Sequence, residues 1–242
     1  MSITPDVLFT IAGFPVTNTV LATFITDIII VVFAFSVKKF LSLKPGKLQN
    51  AFEAVSEYFY DMTAGNAGSR ASYIHPWVLS IFLFIAVSNL TALFPGFESV
   101  RFSGAGSVGH GAPLLRGAAS DLNLTLALAV TSVAATHFFS IKYSGIKSYI
   151  GRFLSFTMFP IMLFVGVLEF MNEITKLISF SFRLFGNIYS GEVVISTMYS
   201  MFPVGLPVPF ILLEVLIAVI QAMVFAVLTM SFMSMFTDKS SH

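Results

Sequence analysis

The sequence predicts an all-α integral membrane protein with five transmembrane helices and one amphipathic helix at the membrane surface. Of the 242 residues, 56% are hydrophobic and 10% are charged, whereas charged residues make up roughly 25% of soluble domains. The mean hydropathy is +0.89. Five apolar regions are long enough for a hydrocarbon core of about 30 Å, which takes roughly 20 helical residues. We expect residues 1–242 to form a single membrane domain.

The first predicted span covers residues 18–37 and is followed by two lysines. Residues 48–64 then alternate polar and apolar positions at helical spacing, with acidic side chains at Glu53, Glu57 and Asp61. This pattern is typical of an amphipathic helix that lies at the membrane surface and does not cross it.

The second and third predicted spans cover residues 74–95 and 122–141, and a glycine-rich loop connects them. Trp77 near the start of the second span is suited to an interfacial anchor. Asp121 or Ser120 is positioned to cap the third helix, because a side-chain oxygen there can accept from the first free backbone N–H groups.

The last two spans are predicted at residues 153–197 and 208–236. The first of these is too long for a perpendicular crossing, since a continuous helix of this length would extend about 66 Å. We therefore expect it to tilt strongly, to break or to lie along another surface. Pro160 would mark a bend or the start of this helix.

Lysine and arginine are divided unequally between the two sets of loops. Nine lie in residues 38–70, in residues 142–152 and at the tail, and two lie in the loop around residue 110. Because cytoplasmic loops carry the excess of positive charge, we expect the N-terminus outside and the C-terminus in the cytoplasm, or in the matrix of an organelle. Five crossings satisfy this orientation, and the inner membrane of a bacterium is the expected location.

Composition excludes several classes of function. The net charge of +1 provides no basic surface for nucleic acid. The absence of cysteine excludes disulfides, thiolate metal sites and cysteine nucleophiles. The chain has no Gly-x-x-x-x-Gly-Lys-Ser/Thr phosphate loop, so nucleotide hydrolysis would belong to partner subunits. We predict no nucleic-acid partner, metal ion, cofactor or enzymatic activity.

Ionisable residues are concentrated in the last two predicted spans, although each costs about 2.5 to 3.5 kcal/mol in a membrane even on lenient scales. At 100° per residue, seven polar side chains of the fourth span share an arc of about 100°. They are Glu169, Asn172, Glu173, Lys176, Arg183, Asn187 and Ser190. Ser179 borders this polar face, whereas Glu192 points away by about 140°. Glu214 and Gln221 share a face of the last span.

Arg183 separates a functional explanation of these residues from a structural one. Carboxylates and Lys176 can pair with one another and hold helices together, and for a single lysine–glutamate pair the structural explanation is favoured. It does not account for Arg183, which has apolar neighbours and no carboxylate one turn away. An arginine cannot release its proton at any accessible pH. It can act as a fixed charge that excludes cations and draws a partner's carboxylate into its ionised form.

Specific motifs of the sequence, most of them in the last two spans, resemble subunit a of the rotary ATP synthase. The motifs are Glu169 followed by Lys176, Arg183-Leu-Phe-Gly-Asn187-Ile-Tyr-Ser-Gly-Glu192, Glu214 with Gln221-Ala-Met-Val-Phe225, Asn89-Leu-Thr-Ala-Leu-Phe-Pro-Gly96 and Asp121-Leu-Asn-Leu-Thr125. The resemblance extends from about residue 15 onward. Arg-Leu-Phe-Gly-Asn is its most specific part.

The resemblance implies a proton-conducting stator subunit whose last two helices lie steeply tilted against a rotating ring of c subunits. In that picture Arg183 faces the essential carboxylate of each c subunit and separates two offset half-channels, which couples ion flux to rotation and ATP synthesis. The residues assigned to the outer half-channel are Asn187, Glu192, Glu214, Gln221 and Asn89. Those assigned to the inner half-channel are Glu169, Glu173 and Ser179. The implied partners are the c-subunit ring, the peripheral-stalk b subunits and the lipid bilayer.

Two other classes of function fit parts of the pattern. A stand-alone secondary transporter would use the carboxylates and Arg183 to bind an anionic substrate, but it predicts internal repeats and helix breaks near the midplane. A purely structural membrane scaffold would have no use for a buried arginine. His75, His110 and His137 are expected at interfaces or in loops rather than as proton relays.

Overall fold

In the computed structural model, six α-helices contain most of the residues that the structure describes. The structure describes residues 5–237 apart from 12, 40, 43–44, 95, 98–100, 103–111, 147–160 and 204. The helices are α1 (Asn18–Lys39), α2 (Lys47–Ala67), α3 (Ala71–Ala92), α4 (Leu122–Ser144), α5 (Ile161–Met201) and α6 (Pro207–Thr237). Each predicted span and the predicted surface helix correspond to one of these six helices.

The helices are those of a multi-pass membrane protein. Four segments are long and apolar enough to cross a membrane: 18–39, 47–92, 122–144 and 207–237. Helix α5 is not among them although it has 41 residues, because its polar face lowers its hydropathy. Five crossings and a strong tilt therefore stay predictions. Pro160 lies outside the described residues, as does the start of the span predicted from residue 153.

Two short antiparallel hairpins depart from the all-α prediction. Strand β1 (Val7–Ile11) pairs with β2 (Phe14–Thr17), and β3 (Arg101–Phe102) pairs with β4 (Ala112–Pro113). Strand β2 leads directly into α1, where the side-chain amide of Asn18 donates to the carbonyl of Pro113 at 3.3 Å. The hairpins therefore lie at one end of the helical bundle. Strands this short have too few residues for an alternating pattern to be recognised.

Helix α2 has the amphipathic character that its sequence predicts. Phe59, Thr63 and Ala67 are buried at intervals of four residues, and the three acidic positions of the pattern are exposed. The buried face packs on α3 and α6, and the Thr63 hydroxyl lies 3.3 Å from the sulfur of Met230. Only a three-residue 3-10 turn separates α2 from α3. This helix is thus attached to the bundle along its apolar face.

Helix α4 is joined by side-chain hydroxyls to both of the last two helices. The contacts are Thr125 with Ser181 at 3.2 Å, Ser132 with Thr229 at 2.8 Å, and Ser140 with the carbonyl of Phe236 at 2.9 Å. Together with the contact between His137 of α4 and Glu173 of α5, the order of these contacts along the chain shows that α4 runs parallel to α6 and antiparallel to α5. Helix α1 packs on α3 and on the 3-10 turn Ala118–Ser120 that precedes α4.

Asp121 both caps α4 and attaches α1 to it. One carboxylate oxygen accepts from the backbone N–H of Asn123 at 2.9 Å, as expected for a cap. The other accepts from the Thr19 hydroxyl at 2.8 Å in a buried contact. Ser120, the other candidate for the cap, donates instead to the carbonyl of Gly117.

We expect Asp121→Ala to lower the free energy of unfolding by about 0.5 to 2 kcal/mol for the lost cap. Loss of the bond to Thr19 adds to this effect. Heat-induced aggregation of the detergent-solubilised complex, followed by immunoblot, measures the change. Asp121→Asn keeps the capping oxygen and should retain most of the stability. An alanine variant as heat-resistant as the wild type would contradict the double role of this carboxylate.

Candidate functional site

Arg183 lies near the middle of α5, and its side chain is exposed on the outer surface of the helical bundle. Its Nη2 donates a hydrogen bond to the Ser179 hydroxyl, one turn earlier, at 3.1 Å. Among the described residues, no carboxylate forms an ion pair with this guanidinium. The neighbouring apolar side chains Ile178 and Phe182 are also exposed, at 52% and 56%. The arginine thus presents its charge on an apolar surface that the described residues leave uncovered.

Six polar side chains meet between Arg183 and the end of the bundle where α1 and α4 begin. We call them the outer cluster: Asn89, Arg116, Asn187, Glu192, Glu214 and Gln221. The Asn187 side chain donates to Gln221 Oε1 at 2.8 Å, which joins α5 to α6. Asn187 is exposed, whereas Gln221 and Glu214 are buried. The outer cluster therefore extends from the interior of the bundle to the surface that carries Arg183.

A buried ion pair closes the far end of the outer cluster. Arg116 Nε lies 3.8 Å from Glu192 Oε2, and these side chains are only 5% and 9% exposed. Arg116 comes from the segment before the 3-10 turn, so this loop reaches into the helical bundle. Glu192 points away from the polar face of α5, as its position in the sequence predicts. Its carboxylate is directed towards the loop that contains Arg116.

Two glycines let the polypeptide backbone approach the carboxylates of the outer cluster. A Cβ atom at Gly191 would overlap the carboxylate of Glu214, and a Cβ atom at Gly117 would overlap that of Glu192. Any other residue at these positions would displace a buried acidic side chain. The two glycines are therefore part of the site although they have no side chain that could bind or transfer a proton.

Two oxygens of the outer cluster are buried and accept no hydrogen bond from the described residues. They are Oδ1 of Asn89 and Oε1 of Glu214. The side-chain amide of Asn89 donates to the carbonyl of Ala218 at 3.4 Å, which orients that oxygen. Buried polar atoms of native proteins usually bind protein groups or ordered water. These two oxygens are consequently suited to binding water or a proton within the bundle.

A second polar group, the inner cluster, lies on the other side of Arg183 and consists of His137, Glu173 and Lys176. Glu173 is buried and accepts a hydrogen bond from Lys176 Nζ at 2.7 Å. Its other oxygen lies 3.4 Å from His137 Nε2. Lys176 Nζ also lies 4.4 Å from the ring centroids of both Phe232 and Phe236. Three charged or chargeable groups therefore meet between α4, α5 and α6.

An apolar core separates the two clusters inside the bundle. Phe180, Leu184 and Ile188 of α5 are buried against Phe225 and Ala222 of α6. Glu173 and Glu192 lie about 15 Å and 14 Å from Arg183 along the helix axis at 1.5 Å per residue. The interior thus contains two polar regions with an apolar segment between them. The exposed face around Arg183 lies beside that apolar segment.

The family model described as "ATP synthase A chain" matches residues 19–234 of this sequence. The chain belongs to the ATP synthase subunit a family. Subunit a of Moorella thermoacetica is 31% identical over 232 residues, which are 96% of this chain and 96% of that protein. Subunit a of Geotalea daltonii is 32% identical over 194 residues, covering 79% of this chain and 75% of that protein. Subunit a of Legionella pneumophila is 27% identical over 227 residues, covering 93% and 89% respectively.

Family membership confirms the resemblance and places the chain in the membrane sector of ATP synthase. Membership of this family favours a subunit of the ATP synthase membrane sector over a stand-alone transporter or a structural scaffold. Within the described ranges, no group of three or more His, Asp or Glu side chains is arranged to hold a metal ion.

The predicted outer residues lie in one cluster in this family member, whereas no hydrogen bond or ion pair joins the predicted inner residues Glu169, Glu173 and Ser179 to one another in the described part of the chain. Ser179 contacts Arg183 and not Glu173. Glu169 is half-buried, and it forms no hydrogen bond or ion pair within the described part of the chain. The Glu173–Lys176 pair is the structural pairing that the sequence favoured.

Two of the three histidines do not lie in loops. His137 is inside α4 beside Glu173, and His75 is inside α3, where its Nε2 lies 3.3 Å from the Ser56 hydroxyl. A loop position is therefore excluded for both, and the other expected location, a membrane interface, stays a prediction. His110 lies outside the described residues.

Arg116 belongs to the site although its sequence context did not predict it. It lies in a connecting loop, so helical periodicity could not assign it to a polar face. Two signals pointed to it: Glu192 lay off the polar stripe and needed its own partner, and the small residues 117–120 allow close approach to the helices. A buried carboxylate in a membrane protein calls for such a partner.

We expect Gly191→Ala to reduce ATP-driven proton pumping in inverted membrane vesicles. The added methyl group displaces the Glu214 carboxylate, and overpacking of this kind costs about 1 to 3 kcal/mol. The double variant Gly191→Ala/Glu214→Asp shortens the carboxylate and should recover part of the loss. Gly65→Ala on α2 is the matched control, because nothing lies within 4 Å of its Cβ position. Normal pumping by the Gly191 variant would contradict the close approach.

Proposed function

We propose that this chain is the proton-conducting stator subunit of the ATP synthase membrane sector, and that Arg183 separates two half-channels and faces a ring of c subunits. One observation carries the proposal. Arg183 is exposed, has no carboxylate partner among the described residues, and lies between two buried polar clusters. A permanent charge at membrane depth requires a partner, and an ionised carboxylate supplied from outside the chain meets that requirement.

The charge of Arg183 determines where along the site a c-subunit carboxylate is ionised. A c-subunit carboxylate that passes the guanidinium is held in its ionised form, because an opposite charge nearby favours ionisation. Once past it, the carboxylate takes a proton from the outer side and becomes neutral, which allows it to enter lipid. A membrane potential of 100 mV supplies about 2.3 kcal/mol for each charge that crosses. The arginine itself transfers no proton.

The outer half-channel corresponds to the outer cluster. Glu214 and Glu192 are the acidic groups able to hold a proton, and Asn89 contacts α6 at Ala218, one turn after Glu214. Gln221 and Asn187 continue the polar contacts towards the exposed face, one turn from Arg183. The order of these groups, from buried carboxylates to an exposed amide, supports delivery of protons from the outer side to a partner surface.

The inner half-channel includes Glu169, Glu173 and Ser179, and we add His137 to it. His137 and Lys176 contact Glu173, so the charge of the inner cluster depends on three groups together. Ser179 accepts from Arg183 and positions the guanidinium towards this side. A helix of 41 residues extends about 60 Å, twice the hydrocarbon thickness. This length supports a strong tilt of α5 along the ring.

The proposed assembly contains the c ring and the peripheral-stalk b subunits as neighbours in the bilayer. The N-terminus lies outside and the C-terminus lies in the cytoplasm of a bacterium, by the distribution of lysine and arginine. The outer cluster then faces the periplasmic side, because it lies at the end of the bundle where α1 begins.

Arg183→Ala should abolish proton-driven ATP synthesis in membranes that retain the assembled complex. The reason is that the two half-channels are then no longer separated by a fixed charge. ATP synthesis in energised vesicles is the measurement, and immunoblots of the chain and of the c subunit establish assembly. Arg70→Ala removes the same side chain from the α2–α3 turn and should leave synthesis intact. Retained synthesis by the Arg183 variant would defeat the proposal.

Arg116→Ala should lower both the amount of the chain and its proton flux. It removes the cation beside the buried Glu192, and breaking a buried pair costs about 3 to 5 kcal/mol. Adding Glu192→Gln neutralises the stranded carboxylate, so we expect the chain level to recover while the flux stays low. Arg116→Lys keeps the charge and serves as the control. Recovery of flux in the double variant would show that the pair is structural only.

A further inference from the structure

The feature that remains unexplained is Asp27, a carboxylate on the uncovered face of α1. The buried residues of α1 are Asn18, Thr19, Ala22 and Thr26, which face the rest of the bundle. Asp27 is exposed and lies about 14 Å from Asn18 along the helix axis. In a helix of 22 residues this position is close to the middle. The carboxylate is therefore near the centre of the first membrane span.

Asp27 has no hydrogen-bond or ion-pair partner anywhere in the described part of the chain. A carboxylate at the centre of a transmembrane helix costs about 2.5 to 3.5 kcal/mol on insertion scales. Ionisable side chains inside membranes almost always face protein or a water-filled cavity. An uncompensated carboxylate on the outer face of α1 thus indicates that another protein group covers this position.

Asp27 also lines a groove on the surface of the described part of the chain. A groove of about 330 Å³ runs along α1 to the start of α4, and Asp27 lines it with the polar side chains Thr23 and Asn123. Beside it, Phe24, Ile28 and Val31 are exposed at 61%, 61% and 51%. Their spacing of four and three residues is that of a helix face that packs against one other helix.

Exposed apolar side chains alone would be ordinary in a membrane, where lipid covers them. The acidic group distinguishes this face, because lipid tails provide no hydrogen-bond donor. We infer that the face of α1 around Asp27 is the docking surface for one transmembrane helix of another subunit, which places a basic side chain opposite Asp27. The inference rests on membership of the ATP synthase complex and is independent of the proposed role of Arg183.

Cross-linking in the assembled complex tests the docking surface, and the chain is suited to it because it contains no cysteine. Phe24→Cys and Val31→Cys, labelled with a thiol-directed photo-cross-linker, should each capture the same single subunit. Phe138→Cys is the matched control, because this α4 side chain is equally exposed at 62%, and it should not capture that subunit. Cross-links to lipid only, to a c subunit, to a second copy or within the chain would overturn the inference.

A second variant tests the charge. Asp27→Leu makes the span more apolar and favours its insertion, so failure to enter the membrane is not expected. It should lower retention of the captured subunit after detergent extraction by about tenfold, as expected for one lost charge-assisted bond. Phe138→Leu, on the exposed face of α4 and away from the docking surface, should leave retention unchanged. Equal retention in the Asp27 variant would refute the pairing. Arg183→Ala should abolish synthesis without changing the cross-link, which separates the two hypotheses.

Discussion

The rest of this structure depends on one constraint, which is that the guanidinium of Arg183 keeps its charge at membrane depth. Within the described part of the chain Arg183 donates one side-chain hydrogen bond, to the Ser179 hydroxyl, and its exposed neighbours Ile178 and Phe182 are apolar. The side of α5 behind it is sealed by Leu184 and by two phenylalanines of the core, Phe180 and Phe225. Polar groups approach only from the two ends. Arg183 thus lies beside an apolar part of the bundle interior, and its exposed side chain is accessible to a partner.

The carboxylates on both sides are stabilised in different ways. Glu173 obtains compensation from the charge of Lys176 and also lies beside His137. Glu192 relies on an arginine from a loop, and Glu214 fits against the bare backbone of Gly191. Pairing disfavours loss of the negative charge, whereas an apolar enclosure disfavours the charge itself. The two ends of α5 therefore offer a proton chemically different environments.

The helices and the polar face of α5 were predictable because both depend on local periodicity. Span length and the spacing from Glu169 to Ser190 follow from helix geometry, whatever the tertiary structure. Which side of that face would be exposed did not follow, since it depends on how α5 packs. The Arg116–Glu192 pair joins residues far apart in the sequence through a loop without periodicity. Asp27 was overlooked because a single acidic residue hardly alters the hydropathy of a 22-residue helix.

The hydroxyl contacts of α4 have a mechanical consequence. Under the proposed function, a turning rotor pushes sideways on α5, and apolar contacts between helices in lipid resist sliding weakly. Hydrogen bonds have a fixed direction, and α4 forms them with α5 through Ser181 and with α6 through Thr229. Helix α4 then holds α5 in place against the force from the rotor. Its stiffness would determine how much of the force is delivered as torque and how much is lost in deforming the stator.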